Sequence, residues 1–175
     1  MTLIVSIMMA ITLNNLVLFD FSENTRLDKW QVVNDGVMGG LSKATFKMGE
    51  NGTALFTGRV SLENNGGFSS LRYSTGEIIV DGHTTLLLYL KGDGKNYQVR
   101  IRENNDDYFS FITTFQTSGK WETIELPLKE MVPSFRGRKL DRHNYSGNTI
   151  VELTFFIGNK KAESFTLELQ KAFLK

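Results

Sequence analysis

The sequence predicts an all-β protein, built as a sandwich or a barrel. Apolar and polar residues alternate along about eleven short segments, which is the period of a strand with one buried face. Glycine, asparagine and aspartate separate these segments at regular intervals, as turns do in all-β folds. The apolar spacing of an amphipathic helix is not found in any window of the chain.

The predicted strands follow one another along the whole chain. They are LVLFDF (16–21), ATFKM (44–48), ALFTGRV (54–60), FSSLRY (68–73), EIIV (77–80), TTLLLYLKG (84–92), NYQVRIRE (96–103), YFSFITTF (108–115), KWETIEL (120–126), IVELTFFI (150–157) and SFTLELQKAFL (164–174). The run TTLLLYLKG is nearly all apolar, which is typical of a central strand buried on both faces. In NYQVRIRE we expect Tyr97 and Ile101 to face the core, while Arg100 and Arg102 face solvent.

Short connections complete this pattern. The dipeptide Asn51-Gly52 predicts a hairpin turn, because both residue types tolerate a positive φ. The segment LKEMV (128–132) predicts one helical turn that Pro133 ends.

Composition limits the class of protein. The chain has 175 residues, 41% of them hydrophobic, which is enough for one core without disulfides. The net charge of +1 gives no strong attraction to nucleic acid. The chain has no cysteine, which excludes thiolate nucleophiles and Cys-based metal centres. We therefore expect a single β-sandwich domain over residues 16–175, with no cofactor, no metal and no nucleic-acid partner.

Residues 1–15 form an apolar N-terminal segment. Its uncharged core from Leu3 to Leu13 is too short to span a bilayer as a helix, so no membrane span is expected. The segment is either a signal-like stretch or an extra strand, and both interpretations stay open. We expect a cytoplasmic protein if the segment is retained, and an exported or periplasmic one if residues 1–12 are a signal peptide.

The stretch NDGVMGGLS (34–42) contains the most distinctive glycine pattern. A phosphate-binding fingerprint needs G-x-G-x-x-G before a helix, whereas a predicted strand follows here. We interpret the stretch as a compact structural loop. In it, Asp35 binds backbone N–H groups and Met38 fills a gap under Trp30.

A second glycine loop, ENNGGFSSLRY (63–73), precedes an aromatic strand that carries Arg72. Catalytic signatures are missing from the sequence. His83 and His143 lie in turn-rich segments, where we expect surface side chains, and there is no G-x-S-x-G nucleophile motif. We therefore expect no catalytic residues.

Together these segments resemble a known family. Trp30 followed by VNDGVMGGLS, then FTGRVSLENNGGFSSLRY, LKGDGKNYQVRIR, WETIELPLKEMVPSFRGRKL and SFTLELQKAFL resemble the complex I intermediate-associated protein 30 (CIA30) domain. The resemblance runs from about Leu18 to the C-terminus. No long leader precedes it, so we expect a stand-alone member of the kind that bacteria carry.

The resemblance implies a galactose-binding-domain-like jelly-roll β-sandwich. It also implies a non-catalytic binding or assembly factor for respiratory complex I, with a protein partner such as a respiratory complex subunit. A carbohydrate-binding module that binds a glycan is the alternative, for which Tyr97, Tyr108 and Trp121 are candidate aromatics, although alternation places Trp121 in the core.

The expected binding residues lie in the two glycine loops, the strands beside them and two further loops. They are Asp35, Met38, Gly39, Gly40, Gly67, Phe68, Arg72, Asp93, Arg100 and Arg136. Each of them either contacts a ligand or maintains backbone geometry, and the sequence leaves both roles open.

Overall fold

The structure is a computed structural model that describes residues 15–175 as a sandwich of two antiparallel sheets. The first sheet holds β1 (Leu16–Asp20), β3 (Lys43–Met48), β4 (Ala54–Val60), β6 (Thr85–Lys91), β9 (Trp121–Pro127) and β13 (Glu163–Leu174). The second sheet holds β2 (Trp30–Asn34), β5 (Ser69–Ile79), β7 (Asn96–Arg102), β8 (Ser110–Gln116), β10 (Val132–Phe135), β11 (Arg138–Lys139) and β12 (Thr149–Ile157). The all-β prediction is confirmed.

The strand orders place the long C-terminal strands at the centre. The six-stranded sheet runs β3-β4-β13-β6-β9, and β1 pairs with the C-terminal half of β13 beyond the end of β4. The seven-stranded sheet runs β11-β10-β8-β7-β12-β5-β2. Strand β12 therefore lies between β5 and β7, which positions the surface described below.

The observed strands differ from the predicted ones mainly at the sheet edge and where two predicted strands form one. The predicted strands FSSLRY and EIIV form one strand, β5, because the chain continues through Gly76 at a φ of 73°. Strands β2, β10 and β11 were not predicted. Pro133 lies inside β10, opposite Phe111, instead of simply ending the preceding helical turn, which spans Leu128–Glu130 as a 3₁₀ helix.

The predicted alternation holds where strands are regular and fails at a bulge. Tyr97 and Ile101 are buried, as predicted for β7, whereas Arg100, which was predicted to face solvent, is half-buried. In β1 a register shift between Val17 and Phe19 buries two consecutive side chains and leaves Val17 55% exposed. Val17 and Phe19, which strict alternation would place on one face, therefore differ in burial.

The core fills the space between the sheets with aliphatic and aromatic side chains from both. The Asn51-Gly52 turn joins β3 and β4 with φ values of 55° and 71°, which confirms the predicted hairpin. The apolar N-terminal segment lies outside the described residues. Among residues 15–175, no helix has the length and apolar character needed to cross a membrane.

Candidate binding site

Asp35 joins the two glycine loops. It is fully buried at the start of a 3₁₀ helix, Asp35–Met38. Its Oδ2 accepts hydrogen bonds from the backbone N–H groups of Gly67 (2.6 Å) and Phe68 (3.2 Å). The backbone N–H and the hydroxyl of Ser42 donate to the two carboxylate oxygens. The predicted binding of backbone N–H groups by Asp35 is therefore found, across two loops distant in sequence.

These hydrogen bonds set the charge state of Asp35. Burial alone raises the pKa of a carboxyl group, but donation from Ser42, Gly67 and Phe68 outweighs it and lowers the pKa of Asp35 below its usual value. The carboxylate is therefore ionised at neutral pH, and its charge is balanced by oriented backbone dipoles. A carboxylate held in this way has a structural role.

The glycines around Asp35 are needed for this close approach. A Cβ on Gly40 would overlap the Asp35 carboxylate, and one on Gly66 would lie 2.6 Å from Oδ2. Gly39 ends the 3₁₀ helix at a φ of 87°, which an L side chain rarely adopts. We call this unit, residues 35–42 with residues 61–68, the double loop.

The double loop presents apolar side chains to solvent. Met38 is 62% exposed, Leu41 48% and Leu62 47%. Leu41 and Leu62 line a groove of about 480 Å³ whose other walls include Lys43 and Arg59. The prediction that Met38 fills a gap is therefore wrong, because the short helix turns its side chain outward.

The space around Trp30 is occupied by other aromatic rings instead. Trp30 stacks on Tyr73 with a centroid distance of 4.4 Å and contacts Phe19, Phe21 and Phe46. Strands from both sheets contribute these rings, so the cluster closes this edge of the sandwich.

The outer face of the seven-stranded sheet is the second part of the candidate site. Thr154 on β12 lies opposite Arg72 of β5 on one side and opposite Arg100 of β7 on the other. Beyond Arg100 the same row continues with Ile112 and Val132. Arg72 and Arg100, two predicted site residues distant in sequence, therefore lie in one row on either side of the buried Thr154.

Phe156 connects this row to the double loop. Its ring stacks on Phe68 at a centroid distance of 5.5 Å, and the Arg100 guanidinium carbon lies 3.5 Å from the ring centroid. Phe68 comes directly before β5 and Arg100 lies on β7, the two strands that flank β12. A Cβ on Gly158 would lie 2.7 Å from the ring, so the glycine makes space for it.

The charges on this face are unevenly balanced. Arg102 forms an ion pair with Glu152 at 2.9 Å. Within residues 15–175, Arg100 donates only to the neutral side chain of Gln98, at 2.8 and 3.2 Å. Burial, together with repulsion from Arg72, lowers the pKa of Arg100 to about 10.

Asp93 and Arg136 lie apart from the other predicted site residues. Asp93 accepts hydrogen bonds from Tyr97 (2.9 Å), Lys95 (2.6 Å) and the backbone of Thr166 (3.0 Å), so it ties the β6–β7 connection to β13. Arg136 is exposed at the β10–β11 turn with a φ of 49°.

The three aromatic residues proposed for glycan binding lie in different parts of the protein. Tyr97 is buried, so it cannot form a sugar platform. Tyr108 is 58% exposed, on the loop between β7 and β8. Trp121 is 37% exposed and contacts Tyr89 at 5.2 Å on the outer face of the six-stranded sheet. The prediction of a core position for Trp121 is wrong because Trp121 shares the outward face of β9 with Thr123 and Glu125, while Ile124 and Leu126 face the core.

Sequence reasoning missed Phe156, Thr154, Leu41 and Leu62. Alternation in IVELTFFI contains a signal for the first two, since Glu152, Thr154 and Phe156 share one face. Their neighbours across the sheet depend on strand order, which alternation does not contain. Among the described residues, no group of three or more His, Asp or Glu side chains is arranged to hold a metal ion.

The family model for complex I intermediate-associated protein 30 (CIA30) matches residues 19–169. The chain belongs to the CIA30 family. Among its relatives is the mitochondrial complex I intermediate-associated protein 30 of Drosophila melanogaster, 24% identical over 168 residues, covering 83% of this chain and 57% of the fly protein. The protein of the same name from Mus musculus is 27% identical over 147 residues, covering 71% of this chain and 45% of the mouse protein.

This CIA30 chain therefore spans about half the length of the curated relatives that it matches. The double loop and the outer face both lie within the matched residues 19–169. The bacterial origin expected from the sequence stays a prediction.

Solved structures similar to this CIA30 chain include carbohydrate-binding modules. The family 11 module of a cellulosomal cellulase of Clostridium thermocellum has a TM-score of 0.64 at 15% identity, covering 92% of this chain and 94% of the module. The same family bound to a β-1,3-1,4-mixed-linked tetrasaccharide has a TM-score of 0.63, also at 15% identity, with 91% and 94% covered. This similarity confirms the predicted galactose-binding-like jelly roll and shows the fold alone.

Proposed function

We propose that this CIA30 protein is a non-catalytic assembly factor that binds a protein partner, with subunits of respiratory complex I as the expected class. The relatives named for complex I intermediates support that class. The observation that carries the protein-binding role is the set of exposed apolar side chains on the double loop, Met38, Leu41 and Leu62.

The three apolar side chains of the double loop are held by a rigid backbone as well as exposed. Single exposed apolar residues are common on protein surfaces and need no explanation. Here the backbone beneath the three is fixed by the hydrogen bonds to Asp35, and two of the three line one groove. Apolar side chains on a fixed backbone lose little entropy on docking, which favours a partner surface of the same character.

A non-catalytic role is supported by Asp35 and Asp93, because both carboxylates are already hydrogen-bonded within the protein. Asp35 is occupied by backbone and Ser42 donors, and Asp93 by Tyr97, Lys95 and Thr166. Neither carboxylate is placed to exchange a proton with a bound substrate.

The test combines deletion with complementation in the native host. Deleting the gene is expected to lower the amount of assembled complex I, and the wild-type protein is expected to restore it. The variant Met38→Gln/Leu41→Gln/Leu62→Gln is expected to fail while keeping the wild-type melting temperature. Ile79→Gln is the matched control, since Ile79 is 65% exposed elsewhere on β5. Normal complex I in the deletion strain would contradict the proposal.

Glycan binding is a second candidate, favoured by the exposed Trp121 beside Tyr89 and by the similarity of the fold to carbohydrate-binding modules. On the other sheet, the Phe156 ring already stacks on Phe68 and contacts the Arg100 guanidinium, which disfavours that ring as a stacking surface for a sugar. Titration with a mixed-linkage β-glucan tetrasaccharide, followed by tryptophan fluorescence, tests this candidate. Glycan binding predicts a change in fluorescence that is lost in Trp121→Ala. An unchanged fluorescence at millimolar sugar would contradict glycan binding.

A further inference from the structure

Arg72 and Arg100 form a pair of cations on one face of the seven-stranded sheet. Both lie opposite Thr154, from β5 on one side and β7 on the other. Positions two strands apart in a sheet are separated by about 10 Å at their Cα atoms. Two arginine side chains projecting from such positions can reach a common point above the strand between them.

This pair has no counter-charge among the described residues. The nearest carboxylate in the register, that of Glu152, is occupied by Arg102 and by the Thr154 hydroxyl. The Arg72 side chain makes no hydrogen bond or ion pair with any other residue of 15–175, and Arg100 donates to Gln98 alone. Repulsion from Arg72 contributes to the lowered pKa of Arg100, as expected for two like charges that share a site.

We propose that Arg72 and Arg100 together bind the carboxylate of an acidic side chain on the partner protein, an inference that rests on the protein-binding role proposed above. A guanidinium donates two parallel N–H groups, which match the two oxygens of a carboxylate. A carboxylate between the two arginines removes their mutual repulsion.

The surroundings favour a protein carboxylate over a polyanion. Ile112 and Val132 continue the row, so the acidic side chain is flanked by apolar contacts on the β8 side. Glu152 lies opposite Arg102 in the adjacent row and would repel an extended chain of negative charge. The net charge of +1 provides no general attraction for polyanions.

The test uses the peptide acetyl-Leu-Glu-Leu-amide and its Gln counterpart as probes, with NMR detection of arginine Nε–H signals. The Glu peptide is expected to shift the signals of Arg72 and Arg100, and the Gln peptide is not. Affinity for the Glu peptide is expected to fall about tenfold or more in Arg72→Gln and in Arg100→Gln. Arg26→Gln removes the same charge from a surface ion pair with Asp28 and is expected to bind like the wild type.

Three outcomes would overturn the inference. They are unchanged arginine signals with the Glu peptide, equal shifts with both peptides, and tighter binding of polygalacturonate than of the Glu peptide at the same arginines. Arg72 is exposed, so Arg72→Gln keeps the test decisive even if Arg100→Gln does not fold.

The same variants separate this inference from the proposed function. If the native partner is captured equally well by wild type, Arg72→Gln and Arg100→Gln, the function stands and the arginine site is wrong. If the Glu peptide binds at the two arginines but deletion leaves complex I unchanged, the arginine site is supported and the assembly role fails.

Discussion

The carboxylate of Asp35 accepts a hydrogen bond of 2.6 Å from the backbone N–H of Gly67, 32 residues further along the chain. A chain of hydrogen bonds continues through Ser42, whose hydroxyl oxygen accepts from the backbone N–H of Ser61 at 2.9 Å. The two glycine loops therefore form one rigid unit around a single buried charge. Removing that charge is expected to affect both loops at once.

Asp35→Asn is expected to destabilise the protein by about 2–4 kcal/mol, because a buried set of backbone donors loses an ionised acceptor. Urea denaturation of the variant and the wild type measures the difference. Asp106→Asn is the matched control, since Asp106 is exposed on the β7–β8 loop. A difference below about 0.5 kcal/mol for Asp35→Asn would show that the hydrogen bonds to Asp35 do not hold the loops together.

Gly40→Ala and Gly36→Ala form a second matched pair in the same loop. The new methyl group on residue 40 would overlap the Asp35 carboxylate, whereas a Cβ on Gly36 meets no atom within 4 Å. We expect Gly40→Ala to cost about 1–3 kcal/mol and Gly36→Ala to be nearly neutral. Thermal unfolding of both variants measures this, and equal melting temperatures would argue against a close approach of Gly40 to Asp35.

The acid limb of the stability curve is expected to depend on Asp35. Its pKa in the folded protein lies below the unfolded value of 3.8, so the unfolded chain takes up a proton first as the pH falls. The contribution of the ionised Asp35 is therefore fully present above about pH 5 and is lost as the pH falls below 3.8 through the folded pKa. Urea denaturation from pH 7 to pH 2 is expected to show the wild-type and Asp35→Asn curves converging. A gap that stays constant down to pH 2 would contradict this assignment.

Tyr97→Phe tests the buried hydrogen bond to Asp93. Burial, followed by the neighbouring Asp93 charge, raises the pKa of Tyr97 far above its usual value. Loss of the hydroxyl is expected to cost about 1–2 kcal/mol near neutral pH, and Tyr108→Phe, at a side chain 58% exposed, is expected to cost nothing measurable.

The contribution of Tyr97 is also expected to depend on alkaline pH. A raised folded pKa means that its stabilisation is complete below the unfolded pKa of about 10 and is lost as the pH rises further. Denaturation at pH 8 and pH 11 measures the change. An equal gap between wild type and Tyr97→Phe at both pH values would contradict the raised pKa.

Local pattern predicted most of the fold. The two-residue period located ten of the thirteen strands of the described residues, with two predicted segments joined in β5. The missed strands β2, β10 and β11 lie at the edge of the seven-stranded sheet or next to it, and two of them have four residues or fewer. Such short strands contain too few residues for a period to be recognised. Their pairing depends on the neighbouring strand.

Residue chemistry predicted the behaviour of Asp35 but not that of Met38. Aspartate side chains readily accept hydrogen bonds from backbone N–H groups, so the kind of bond follows from local rules, whereas its distant partners Gly67 and Phe68 do not. The direction of the Met38 side chain depends on the 3₁₀ helix that Met38 ends. Alternation likewise predicted the buried position of Tyr97, but the exposed position of Trp121 was found only in the structure.

By itself, the sequence determined the all-β class, the main strands, the family and the positions of the two glycine loops. These follow from period, turn residues and motif order, which are properties of neighbouring residues. Only the tertiary structure decided that Phe68 meets Phe156, and that Arg72 and Arg100 lie on either side of Thr154. The physical reason is that strand order and register bring together side chains distant in sequence, and the surface on which a partner could dock exists only after that pairing.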